Sequence, residues 1–150
     1  MYDANNKFYS AITTKGRGIV DGGARFFFTD VILYRLADVL LMIAEAKNAL
    51  GQDPSTEINQ VRQRAYGANF AAHTFVNGSV AANDAAILKE RLLELSTEGK
   101  RWWDLLRFKQ AFNMVPSLAG REAQNYLLLF PIGQTIRSLE PLVTENPGWE

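Results

Sequence analysis

The chain has 150 residues, 16 basic against 16 acidic, 47% hydrophobic content and no cysteine. That size buries about 70% of the unfolded surface, enough for one domain. The balanced charge lacks the basic excess expected of a nucleic-acid binder, no basic face is visible, and the missing cysteine excludes disulfides and thiolate zinc sites. No apolar run nears the ~20 residues that span a bilayer.

Residues 1–29 read as an irregular lead-in. Gly16, Gly18, Gly22 and Gly23 break any period, and Phe8, Tyr9, Ile12 and the Phe26-Phe27-Phe28 run could form short strands. The first five or six residues show no basic or apolar region of an export signal.

A helix is expected from Asp30 or Val31 to Leu50, capped by Thr29 or Asp30 and stopped by Gly51. Leu36, Leu40, Ile43 and Leu50 supply its apolar face, with Asp38 and Glu45 opposite. Asp53-Pro54 opens a second helix through Ile58 and Val61 to Tyr66, ended by Gly67. Residues 30–67 thus form a first helix hairpin.

Residues 68–83 read as a loop with Asn77-Gly78 as its turn, and Asp84 caps a third helix striped by Leu88, Leu92 and Leu95. Gly99 ends or kinks it. A fourth helix from Lys100 to Phe112 buries Trp102, Leu105 and Leu106, making 84–115 a second hairpin. Regular structure fades after Pro116, with 126–132 extended and 116–150 a wrapping tail. The fold class is therefore mainly all-α: tetratricopeptide-like antiparallel hairpins, long irregular loops and a coil-like C-terminal tail.

The densest stretch, residues 87–112, sets Arg91, Glu94, Glu98, Arg101, Asp104 and Arg107 among leucines and two tryptophans. On a helical wheel Arg91, Glu94 and Glu98 share one stripe bordering the leucines, while Lys89 and Glu90 point elsewhere. Two carboxylates invite a glycoside-hydrolase reading on Glu94 and Glu98. The reading preferred here is a structural charge network, because arginines nearly match the carboxylates and an unpaired buried charge costs several kcal/mol. No catalytic residue, metal site or cofactor site is assigned. His73 is the single histidine. Loop aromatics can stack on sugar rings, which makes Phe70, His73 and Phe75 the candidate glycan contacts.

Four blocks resemble the SusD/RagB family of glycan-binding outer-membrane lipoproteins. They are residues 34–46 (YRLADVLLMIAEA), 58–65 (INQVRQRA), the stretch from Glu90 to Leu105 with its EGKRWWDL, and the closing FPI (130–132) with ENPGW (145–149). Gly133 replaces a common second proline, and Thr144-Glu145 stands where a glutamine is usual. The resemblance implies the C-terminal portion of a longer protein, anchored to the outer membrane by a lipid on an upstream cysteine. It also implies capture of an oligosaccharide or other nutrient for a SusC-type TonB-dependent transporter, without catalysis. A helical-hairpin module for protein-protein interaction, without direct sugar binding, is the alternative.

Overall fold

A computed structural model describes residues 7, 15, 18–27 and 32–149. Phe8, Tyr9, Ile12, Gly16, Phe28 and the expected cap at Thr29 or Asp30 lie outside these. The protein is mainly helical, and the chain divides into two compact units, Met1–Lys100 and Arg101–Glu150.

In the first unit a two-stranded hairpin precedes the helices. Strand β1 (Ile19–Asp21) pairs antiparallel with β2 (Ala24–Phe26), Val20 opposite Arg25, around Gly22-Gly23. Helix α1 spans Leu36–Ala49, α2 Ser55–Tyr66 and α3 Val80–Glu94; α1 packs against both others. The expected stops hold for physical reasons. Gly51 and Gly67 sit at φ +70 and +53, the left-handed region that a side chain disfavours. Asp53 accepts a hydrogen bond from the Ser55 backbone N–H at 2.8 Å, and Lys47 meets Glu57 at 2.6 Å across the same connection. The Ser55 contact lowers the Asp53 pKa.

Four expectations for this unit are corrected. Helix α1 begins at Leu36, because Arg35 is fully extended at φ −142, ψ 165 and residues 32–35 carry no helical turn. Its buried stripe is Asp38, Leu41, Ala44 and Asn48, whereas Leu36 and Leu50 are more than two-thirds exposed. Helix α3 starts at Val80, four residues before Asp84, with the Ser79 hydroxyl accepting from the Ala82 N–H at 3.3 Å. Asn77-Gly78 forms no turn; it runs directly into that cap, and the preceding Gly67–His73 stretch is a 3-10 helix. Leu41, Val61 and Leu95 join the three helices in one apolar cluster, with Ala37 and Leu40 against it.

The second unit is built from short pieces. Helix α4 (Arg101–Arg107) stops well before Phe112, because Lys109 turns to φ +54 and the chain restarts as α5 (Ala111–Met114). Two 3-10 turns, Pro116–Leu118 and Asn125–Leu128, and helix α6 (Gln134–Leu139) follow where the sequence suggested coil. Backbone acceptors tie the two closing blocks together. Asn146 donates its amide to the Phe130 carbonyl at 2.7 Å, and the Trp149 indole N–H reaches the Tyr126 and Leu129 carbonyls, each at 3.1 Å. Glu145, in the place of the usual glutamine, accepts from the Ile132 and Asn146 backbone N–H groups at 2.7 and 2.9 Å, which lowers its pKa.

Candidate functional site

The chemistry-bearing residues of the first unit form ion pairs that run between elements. Asp38 on α1 is buried, and its two oxygens lie 3.0 Å from Arg91 on α3 and 3.0 Å from Lys100. Lys100 also lies 4.0 Å above the Tyr34 ring and donates to the Leu33 carbonyl. Glu90 on α3 is buried, contrary to the wheel, because Arg62 on α2 reaches it at 2.8 Å.

Arg35, the last extended residue before α1, contacts two carboxylates at once. Its Nε and Nη2 donate to the two oxygens of Glu98 at 2.9 Å each, and its Nη1 donates to Glu94 at 2.6 Å. This is the bidentate fork that a planar guanidinium makes with a carboxylate. Lys15 joins Glu98 at 2.6 Å and the Ser96 carbonyl at 3.1 Å. The fork from Arg35, followed by Lys15, holds the Glu98 carboxyl down at about 2, and the same contacts keep Arg35 charged.

In the second unit Arg107 pairs with the buried Asp104 at 2.9 Å, and Arg101 lies 3.7 Å from the Met114 sulfur. Trp103 is 53% exposed beside Phe130 (ring centroids 6.4 Å). Of the six charged residues singled out in 87–112, three therefore make contacts within the first unit and three within the second.

The loop aromatics separate by burial. Phe75 is buried: Asn59 accepts from its N–H at 2.7 Å and donates to its carbonyl at 3.0 Å, while the Arg62 guanidinium lies 5.6 Å from its ring. It is an anchor for the loop, closed to a ligand. Phe70 is partly covered. His73 is exposed, and its ring stacks on Tyr66 at 3.8 Å and 11°. His73 therefore covers one face of the half-buried Tyr66 ring at the end of α2, and its own outer face is the one turned away from that contact. Tyr66 was not singled out from the sequence, where it reads only as the end of α2.

These contacts bear on acid-base chemistry. A glycosidase pair needs one carboxyl that keeps a proton near neutral pH, which requires a raised pKa. Glu98 is shifted the opposite way, and the fork that holds it also grips Glu94. Among the described residues, no group of three His, Asp or Glu could hold a metal ion, and no helix is long and apolar enough to cross a membrane.

The fold is that of a helical-hairpin scaffold whose helices are clamped by charge. The model of the SusD family matches residues 28–123, so the chain belongs to the SusD family. It is 32% identical over 145 residues to SusD-like protein P2 of Formosa agariphila, covering 88% of this chain and 28% of that protein. SusD-like protein P38 of the same organism is 39% identical over 99 residues, covering 61% and 20%. Among solved structures, a SusD superfamily protein of Bacteroides fragilis superposes with TM-score 0.76 at 28% identity, over 99% of this chain and 35% of that one. B. fragilis NanU superposes with TM-score 0.69 at 35% identity, covering 91% and 31%. The chain thus spans between a fifth and about a third of the length of these relatives.

Proposed function

We propose that the chain is the helical scaffold of a non-catalytic, glycan-binding SusD-type protein at the outer-membrane surface. In this reading a lipid anchor holds the full-length protein, which passes oligosaccharides to a SusC-type TonB-dependent transporter. Family membership over residues 28–123 carries the proposal. The fork on Glu94 and Glu98 supports its non-catalytic part, since those carboxylates serve as acceptors for Arg35. The exposed His73 ring, backed by Tyr66, is the part of residues 68–83 best suited to a sugar face. Isothermal titration of the full-length protein against a panel of oligosaccharides tests the proposal; silence toward every glycan and glycopeptide would overturn it. Hydrolysis of a glycan that disappears in a Glu94→Gln, Glu98→Gln double variant would instead restore the enzyme reading.

One observation favours a second reading, in which the hairpin docks a protein. Helix α1 turns Leu36, Val39, Met42 and Ile43 outward, each at least 39% exposed, along one side of the helix. Capture of the transporter with equal yield in the presence and absence of sugar would support that reading. Substitution of Val39 and Met42 by serine should then abolish capture without changing helix content.

A further inference from the structure

The sequence contains a single Asn–Gly step, Asn77-Gly78, and the scaffold role does not call on its chemistry. An asparagine followed by glycine is prone to cyclise, because no Cβ screens the glycine nitrogen from the asparagine Cγ. The Gly78 nitrogen, once it has lost its proton, attacks Cγ of Asn77. A C–N bond forms, the Cγ–Nδ2 bond breaks and ammonia leaves. The resulting succinimide takes up one water and opens to aspartate or isoaspartate. Both residues are exposed, so water and hydroxide reach them.

The fold places one side chain across this reaction. The Gly78 N–H donates to Oδ1 of Asn83 at 2.9 Å, and Nδ2 of Asn83 donates to Oδ1 of Asn77 at 2.8 Å. Asn83 is buried and also donates to Oδ1 of Asn48 at 2.9 Å. Asn48 is fixed in turn by donating to the Val80 carbonyl and to Asp84, at 2.9 and 2.7 Å. The two contacts on Asn77-Gly78 act in opposite senses. A donor on the Asn77 oxygen polarises the carbonyl and favours attack. An acceptor on the Gly78 N–H hinders it, since an amide carbonyl is too weak a base to take the proton and a protonated peptide nitrogen is no nucleophile. The second contact decides, because without deprotonation there is no attack to assist.

We infer that Asn77-Gly78 is a guarded deamidation site whose rate is set by opening of the Asn48–Asn83 clasp between α1 and α3. Isoaspartate would add a methylene to the main chain at this point and move the Gly78 N–H away from Asn83. One conversion therefore removes a tether at the start of α3.

The test is to hold the chain in mildly alkaline buffer, folded or in denaturing urea, and follow aspartate and isoaspartate at position 77 by peptide mass mapping. The folded chain should convert slower by about tenfold, the scale set by hydrogen bonds at a buried anchor. Asn83→Ala should bring the native-buffer rate close to the rate in urea. Because that substitution also loosens the fold, hydrogen exchange of the Gly78 amide in the unmodified chain gives an independent measure, expected to be slowed by a similar factor. Equal conversion in buffer and urea, an Asn83→Ala chain no faster than the parent, or an unprotected Gly78 amide would each overturn the inference.

Discussion

The two units hold themselves together by different means. In Met1–Lys100, three helices share a modest apolar cluster, and charged groups from distant parts of the sequence pair between elements. In Arg101–Glu150, short turns are stitched by side-chain bonds to backbone carbonyls and by ring contacts such as Tyr126 against Trp149 at 5.4 Å. The difference teaches where specificity resides. A buried carboxylate is tolerated only at the position where its cation arrives, so charge fixes helix against helix in the first unit. In the second, glycine backbone geometry and donors set 16 to 23 residues from their carbonyl acceptors do that work.

The sharpest way to break the first arrangement is Arg91→Ala, which leaves the buried Asp38 with Lys100 alone. Urea denaturation followed by far-UV circular dichroism should show a loss of about 3–5 kcal/mol. A loss below about 1 kcal/mol would mean that the pair does not hold α1 to α3.

Arg35→Met removes the fork on Glu98 and should cost about 1.5–3 kcal/mol, the scale of hydrogen bonds to charged groups. It also carries a pH signature. The folded Glu98 titrates at about 2, below its ordinary range, so the unfolded chain binds more protons on acidification. Its contribution is complete above the ordinary carboxylate pKa and is lost as pH falls towards that folded value. The parent should therefore lose stability through this window, and Arg35→Met should show a shallower decline. Parallel acid profiles would remove Glu98 as the source.

Gly148→Ala addresses the second unit. Gly148 sits at φ +90, and an added Cβ would lie 2.5 Å from Cγ of Tyr126. A cost of about 1–3 kcal/mol is expected for the forced conformation, with loss of the near-UV signal of Trp149. An unchanged signal would show that the Tyr126–Trp149 contact tolerates displacement. The smallest effect belongs to Arg64→Ala. Its side chain is 76% exposed and lies 3.3 Å from Glu94, so thermal melts should move by less than about 1 kcal/mol in equivalent stability.

The glycine and proline punctuation of α2 was legible because it acts within a few residues: Asp53 caps its own turn, and Gly67 adopts positive φ with no distant help. The need for arginines against the carboxylates of α3 was also legible, from the cost of burying charge. The partners were not. Arg35 and Lys15 reach Glu98 from 63 and 83 residues away, and no local pattern records that meeting. The candidate glycan contacts were equally beyond a local reading. Phe70, His73 and Phe75 look alike as loop aromatics, yet Asn59 and Arg62 seal one of them and leave His73 on the surface against Tyr66.

Helix α1 marks the boundary between the two kinds of information. Its sequence determined that a helix forms and that Gly51 follows it, since propensity and backbone strain are local properties. It also ranked the leucine side as the one to bury, because periodicity weighs each residue alone. Tertiary structure decided otherwise: Asp38 and Asn48 turn inward because Arg91 and Asn83 on α3 satisfy them there. Whether a polar side chain is cheap or costly to bury depends on the partner it meets, and folding alone supplies that partner.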